Sequence, residues 1–392
     1  MMEQISNTLR LYDADAYATE FDAVVLSCEK LTDKKHTTYA VILDQTLFFP
    51  EEGGQSPDKG TLNESNVLDV QIKNNIITHY LDAPLTVGDA VHGIINWQHR
   101  FFNMQQHSGE HIFSGIVHER FGFDNVGFHL SDQIVTMDFN GVLSPEDIDA
   151  VEWSVNEVIS KNIEILISFP SKEELESMSY RSKIEIEGQV RIITIPGYDV
   201  CACCAPHVKR TGEIGMLKVM NMQNYKGGVR ISILCGFRAL AAFREKNHIV
   251  ADLMGVLTTG QDKLVDTVSK MKTSNQDLNY QLGVTKQKLL EQKLKDIPDD
   301  QTNVLLFESD IDAPVMRNVI NQLVETHSGI CGVFSGNEEE GYSFIIGSKE
   351  IDCRTIATTL REKLGARGGG SEQMIQGSIK AKAEEISSAL NL

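Results

Sequence analysis

Met104-Gln-Gln-His107-Ser-Gly-Glu-His111 and Cys201-Ala-Cys203-Cys204-Ala-Pro-His207 decide how this chain is read. The first stretch reads as helix, and its two histidines four residues apart project from one face. In the second, a cysteine and a histidine also stand four apart, beside a proline that favours a turn. Two imidazoles from a helix with a thiol and an imidazole from a loop make a four-ligand N/S set suited to zinc. Either stretch alone is common by chance; both in one chain point to a single Zn²⁺ site. The helical pattern is not H-E-x-x-H, because Ser108 follows the first histidine where a zincin carries glutamate.

The composition frames that site. At 392 residues the chain is long enough for two or three domains, and 41% hydrophobic with 23% charged residues is ordinary for a soluble globular protein. No stretch approaches the ~20 apolar residues of a membrane span, so no membrane partner is expected. Met1-Met-Glu-Gln-Ile-Ser lacks a basic region followed by an apolar run, so no secretory signal is visible. Seven cysteines, three of them within four positions, suit a metal site in a reducing, cytoplasmic setting and not a disulfide framework. A net charge of −19 argues against a broad nucleic-acid footprint but leaves room for a local basic groove.

The pattern along the chain is α+β throughout. Residues 1–90 predict a small β-barrel or a strongly curved sheet: Phe21–Cys28, Thr37–Asp44, Val67–Ile72 and Ile76–Leu81 read as strands, with a polar turn at Lys30–Lys35 and a hairpin at Lys73-Asn-Asn. Residues 91–237 predict an α+β unit holding the metal ligands. Its helix opens at His107 and is stopped by Gly122, a strand runs from Phe128 to Phe139, and a helix starts at Ser144-Pro-Glu-Asp and reaches Lys161. Strands are expected at Ile163–Phe169, Val190–Ile195, Ile214–Met220 and Gly228–Cys235, and a short helix at Lys172–Met178. Residues 238–296 read as a long helical, coiled-coil linker. Leu257, Leu264, Met271 and Leu278 are spaced by seven, with Gly255, Gly260 and Gly283 leaving a helical hairpin and a single rod both open. Residues 297–392 read as a separate α/β unit.

Two glycine-rich stretches could approach a ligand. Phe48-Phe-Pro-Glu-Glu-Gly53-Gly54-Gln55-Ser-Pro-Asp-Lys-Gly60 offers free amide N–H groups and, at Gln55, a donor and an acceptor together. Gly365-Ala-Arg367-Gly368-Gly369-Gly370 combines glycine amides with one arginine, suited to a phosphate or carboxylate. Taken alone, the first stretch is better accounted for by a glycine-rich turn with nothing bound, and a flexible loop accounts for the second equally well.

In their order along the chain, the Phe48–Gly60 stretch, His107-Ser-Gly-Glu-His111, and Cys203-Cys-Ala-Pro-His207-Val-Lys-Arg-Thr-Gly-Glu-Ile-Gly resemble the AlaX-type alanyl-tRNA editing proteins. These are free-standing relatives of the editing domain of alanyl-tRNA synthetase. Gly365-Ala-Arg-Gly-Gly-Gly with Met374-Ile-Gln-Gly resembles the signature of the DHHA1 domain that ends the long form. The resemblance implies zinc held by His107, His111, Cys203 and His207. It implies hydrolysis of the ester joining serine, sometimes glycine, to alanine tRNA, and it makes residues 91–237 the editing unit. The family register also selects Cys203 as the thiol ligand; on strand alternation alone Cys201 shares its face and stays a competitor, with Cys204 a packed thiol. Two departures stand out: the usual Cys-Gly-Gly-Thr-His is Cys203-Cys-Ala-Pro-His207, and the threonine between the histidines is Ser108.

This reading assigns substrate contacts to Gly53, Gly54, Gln55 and Ser108, and tRNA contacts to Arg367, Gly368, Gly369 and Gly370. Gln55 is the candidate for meeting the seryl hydroxyl, and Glu110 the candidate base. A homodimer through the helical region or the C-terminal unit is the expected assembly. The rivals are a zinc hydrolase of another aminoacyl ester and a zinc-stabilised tRNA-binding protein without turnover.

Overall fold

The computed structural model describes residues 7–32, 37–182 and 189–392, and the chain divides into two compact units, Met1–Gln261 and Asp262–Leu392. In the first, β1 (Glu20–Thr32), β2 (Thr37–Leu43), β3 (Gly60–Leu62), β4 (Ser65–Lys73), β5 (Ile76–Leu81) and β6 (Ala90–Ile95) close a barrel in the order β1-β2-β5-β4-β3-β6. Every neighbouring pair is antiparallel. Strict alternation along β6 turns Val91 and Ile95 inward. They meet Val41, Leu43, Leu62, Val70, Ile77 and Leu81. The Asn-Asn hairpin is present, with Asn74 and Asn75 both left-handed at φ 52° and 60°, the backbone that a tight hairpin turn requires. Of the expected Lys30–Lys35 turn, Lys30–Thr32 belong to β1, and residues 33–36 lie outside the described ones.

The chain leaves the barrel into α1 (Trp97–Phe121), the helix of the first sequence stretch. The expected start at His107 is displaced to Trp97. Asn96 caps the helix by accepting the His99 N–H at 3.1 Å, and Trp97 and Phe101 pack onto the core beneath it. Gly122, left-handed at φ 69°, ends it as the sequence implies. From Asn103 to Val117 the helix is buried all round, although much of that run is polar. A buried helix of this kind is normally apolar, so its polar band marks a site.

Around α1 lie a sheet of β7 (Asn125–Leu130), β8 (Val135–Phe139), β12 (Leu217–Tyr225) and β13 (Gly228–Cys235) in the order β12-β13-β8-β7, and helix α2 (Pro145–Ser160). Ile112, Phe113 and Ile116 of α1 join Met137, Ile231 and Ile233 of the sheet and Val151 and Val155 of α2 in one core. The expected single strand from Phe128 to Phe139 is instead the β7–β8 hairpin. The alternation lapses over the polar Ser131-Asp-Gln133 and changes phase, with Leu130 core-facing before the turn and Val135, Met137 and Phe139 after it. Ser144 and Asp147 form a reciprocal capping box on α2. A second small sheet holds β9 (Leu166–Ser168), β10 (Ile192–Ile195) and β11 (Asp199–Ala202). The expected 163–169 strand is shortened to β9, and Asp199–Ala202, read as loop, is a strand antiparallel to β10. Helix α3 (Gly236–Leu257) closes the unit.

The second unit opens with α4 (Leu264–Lys295) and continues through β14 (Val304–Glu308), α5 (Ala313–Thr326), β15 (Cys331–Asn337), β16 (Gly341–Gly347), α6 (Cys353–Leu364), β17 (Arg367–Gly370), β18 (Met374–Ile379) and α7 (Ala383–Ala389). The sheet order is β14-β15-β16-β18-β17, with only β14–β15 parallel. The glycine run forms the edge strand β17. The helical stretch breaks at Thr258, left-handed at φ 49°, whereas Gly255 and Gly283 lie within helices. Met271, Leu278, Leu282 and Leu289 are exposed, while Leu290 packs into the core of this unit and Lys286 pairs with Asp310. Among the described residues, no helix is long and apolar enough to cross a membrane.

Candidate metal centre

Four donors from the two decisive stretches converge. His107 and His111 of α1 meet Cys203 and His207 of the loop after β11, and their donor atoms all lie within 4.8 Å of one another. The Cys203 Sγ is 3.5 Å from Nε2 of His107 and 3.4 Å from Nε2 of His207. The imidazole centroids lie 4.7 to 5.3 Å apart, with His207 edge-on to both His107 and His111 and those two tilted by 39° to each other. All three histidines are buried.

Each histidine is held by its other nitrogen. Nδ1 of His107 is 2.8 Å from Oε1 of Gln55, Nδ1 of His111 is 2.8 Å from Oδ2 of Asp199, and Nδ1 of His207 is 3.0 Å from Oγ of Ser108. An amide oxygen and a carboxylate can only accept, so Nδ1 of His107 and of His111 is the donor in these contacts and Nε2 is the atom left for the cluster. Ser108 also accepts the Val208 N–H at 3.2 Å. Such partners fix ring orientation and tautomer at a metal site. Asp199 is itself gripped by Arg181, with Nε to Oδ1 at 2.8 Å and Nη2 to Oδ2 at 3.0 Å.

The electrostatics agree with a site built for a cation. Burial opposes ionisation of Cys203, but the three surrounding histidines hold its thiol well below the usual range. Burial pushes His207 down to about 3, so it is neutral. Burial also works against a charge on His111, yet Cys201, Asp199 and Cys203 outweigh it and raise His111 well above its usual value. A metal would therefore displace a proton from His111 on binding. Cys201, beside His111 and Asp199, is pushed up to about 11 by burial. Cys204 is likewise raised by burial, with Cys203 and Glu52 adding to it.

The loop from Phe49 to Asp58 covers this cluster. Gly54 at φ 82° runs so close to β7 that a Cβ there would stand 2.4 Å from the Phe128 carbonyl oxygen, which only glycine allows. Leu130 donates its N–H to Gly54 and Ser56 donates to Leu130, binding the loop to the strand edge. Outside it lies a cleft of about 640 Å³ lined by Gly53, Gly54, Glu52, Lys59, His129 and Asp132, among others.

Gly53 and Gly54 thus border the cleft, while Gln55 is fully buried with its Nε2 unpartnered. Ser108 reaches the histidine cluster and not the cleft lining. Oε1 of Glu110 accepts from Ser114 and Asn125, each at 2.6 Å, and its Oε2 is 4.0 Å from Nε2 of His111. Arg367 and Gly368–Gly370 lie exposed on the edge strand of the second unit. Sequence reasoning missed Asp199 and Arg181. Strand alternation held the signal for Asp199, since it shares a face with Cys201 and Cys203.

Comparison with known proteins adds the context. Residues 190–232, which hold Cys203 and His207, match the threonyl and alanyl tRNA synthetase second additional domain. Residues 3–99 match the class II (A) tRNA synthetases, and residues 300–392 the DHHA1 domain. The alanyl-tRNA editing protein Aarsd1 of Danio rerio is 28% identical, with 96% of this chain and 95% of that protein aligned. The chain resembles the alanyl-tRNA editing proteins along nearly its whole length. AlaX-L of Pyrococcus horikoshii, of the same kind, is 26% identical over 96% of each chain. The alanine–tRNA ligase of Methanobrevibacter smithii is 26% identical over 97% of this chain but only 45% of the ligase. The similarity to the ligase therefore covers less than half of that enzyme.

Proposed function

We propose that this protein is a trans-editing aminoacyl-tRNA deacylase that hydrolyses the ester of mischarged alanine tRNA. The observation that carries this reading is the four-donor cluster beneath a glycine loop and a cleft, in a chain similar to alanyl-tRNA editing proteins from end to end. His107, His111, Cys203 and His207 would hold Zn²⁺. One thiol and three imidazoles are a donor set that zinc takes, and the convergence of all four donor atoms within 4.8 Å supports that choice. When bound, zinc supplies positive charge that polarises a carbonyl or orients an amino or hydroxyl group.

The chain's own residues account for the rest. Gln55 has its oxygen committed to His107, so its buried Nε2 is left as a donor alone. That donor suits the seryl hydroxyl or the ester carbonyl oxygen. A site that hydrogen-bonds a hydroxyl discriminates strongly against a substrate lacking one, which favours serine over alanine. Gly53 and Gly54 would let the aminoacyl group approach the loop closely. Glu110, anchored by Ser114 and Asn125 near His111, is the candidate to take the proton of the attacking water. Ser108 would act through His207.

Arg367 and Gly368–Gly370 are proposed to contact tRNA. The division into 1–90, 91–237, 238–296 and 297–392, a homodimer through the helical region or C-terminal unit, and a cytoplasmic location complete the reading. The test is deacylation of alanine tRNA charged with serine, glycine or alanine, alongside free aminoacyl esters, by metal-loaded protein. Release of serine ahead of alanine from tRNA supports the proposal. Equal hydrolysis of unrelated esters favours a broader zinc hydrolase, and tight tRNA binding with no release favours a binding protein.

A further inference from the structure

Among the described residues, the largest fully buried side chain is a charged one, Arg100, in the first turn of α1. Its Nε lies 3.0 and 2.9 Å from the two oxygens of Asp58, which is also fully buried, and its Nη2 meets the same carboxylate. Nη1 donates to the Ala16 carbonyl at 3.0 Å and Nη2 to the Leu47 carbonyl at 2.5 Å. Asp58 in turn accepts the Phe49 N–H at 2.7 Å and donates its own N–H to the Phe49 carbonyl at 2.9 Å. Phe49 and Asp58 are therefore the two sides of the neck of the loop that carries Gly53, Gly54 and Gln55.

We propose that Arg100 and Asp58 are positioning residues for the deacylation site: their buried pair locks the neck of this loop to the helix that carries His107. Arg100 and His107 are seven residues apart, two turns along the same helix and on the same face. One rigid element thus fixes the base of the loop at Arg100 and receives its tip at His107, where Gln55 docks. Stability gives little reason for such a pair. Replacing a buried ion pair by apolar residues of similar size is often neutral or stabilising, while a fixed register is its best-attested use. Asp58 binds a backbone amide as well as Arg100, so moving it moves the loop.

The kinetic arm of the test rests on the proposed deacylase activity; the structural arm does not. Full-length, metal-loaded Asp58→Asn and the double variant Arg100→Met/Asp58→Leu are compared with wild type. The readouts are thermal midpoint, amide hydrogen exchange, and kcat and KM on seryl-charged alanine tRNA. The double variant is expected to melt within a few degrees of wild type. In both variants the amides of Glu51, Gln55 and Ser56 should exchange at least about tenfold faster while those of α1 and the barrel strands keep their protection. Misplacing a catalytic group by about 1 Å can cost ~100-fold, so kcat should fall by that order with KM changed only a few-fold. Wild-type loop protection and kcat in folded variants would overturn the proposal, as would faster exchange spread evenly over the unit. If the double variant does not fold, Asp58→Asn, which keeps side-chain volume and an acceptor for Phe49, decides by the same readouts. A wild-type protein without deacylation would remove the deacylase reading, and the exchange comparison would still decide the clamp.

Discussion

Oε1 of Gln55 and Nδ1 of His107 lie 2.8 Å apart, joining the glycine loop to the helix of the metal cluster. On the proposed reading, the same side chain orients a metal ligand with its oxygen and offers its nitrogen to a substrate. Gln55→Ala should lower metal affinity by about 10–100-fold, the usual effect of losing such a partner, and should abolish preference for serine over alanine. Chelator competition reads the first effect, and matched seryl- and alanyl-tRNA rates read the second. Unchanged metal affinity would separate Gln55 from the metal centre.

The cysteine cluster gives a sharper test. Cys203 is placed against His107 and His207, whereas Cys201 lies beside His111 and Asp199, and Cys204 lies against Gly53. Cys203→Ser should drop bound zinc to a small fraction of wild type, with Cys201→Ser and Cys204→Ser near full occupancy. Metal quantification after dialysis decides among them, and an empty site in Cys201→Ser would reassign the ligand.

The barrel carries its own pH signature. His79 is fully buried between the Thr46 hydroxyl at 2.9 Å and the Val41 carbonyl, and burial pushes it down to about 4. The folded protein keeps it neutral where the unfolded chain, near 6.5, takes a proton. Stability is thus fully present above pH 6.5 and is lost as pH falls toward 4, by about 3 kcal/mol in all. Urea unfolding at pH 7 and pH 4.5 should show a loss in His79→Gln that is smaller than the wild-type loss by about 2–3 kcal/mol.

The first unit holds the His/Cys cluster and two hydrophobic cores. A protein ending at Gln261 should fold, keep its metal and hydrolyse small aminoacyl esters at near wild-type rates. If Arg367 and its glycines contact phosphates, its affinity for alanine tRNA should fall and the salt dependence of binding should flatten. Equal affinity in the shortened protein, measured across a salt series, would remove the C-terminal unit from tRNA binding.

The sequence displayed the pieces that depend on local spacing. His107 and His111 share a helical face, the Asn74-Asn75 hairpin needs its left-handed residues, and Ser144-Pro-Glu-Asp starts a helix where expected. Four of the six barrel strands were legible as short β-branched runs, whereas Gly60–Leu62 and Ala90–Ile95, which complete the closure, were not. What was hidden depends on distant partners. Asp58 and Arg100 are 42 residues apart and Asp199 lies 88 from His111, and no local pattern joins such pairs. The β7–β8 turn had a signal in the polar Ser131-Asp-Gln133 and the change of phase that follows it, but it carries no glycine or proline, and the start of α1 was hidden because Asn103, Gln105 and Gln106 interrupt its apolar stripe.

The central claim is that a metal held by His107, His111, Cys203 and His207 supports release of serine from alanine tRNA. Its most direct test is the time course of serine release from seryl-charged alanine tRNA by wild-type protein, metal-loaded and after chelation and zinc restoration. The account predicts rapid release when loaded, loss after chelation and recovery on restoring zinc, with alanyl-charged tRNA spared throughout. Release that persists at full rate in the metal-stripped protein, or none from the loaded one, would contradict it.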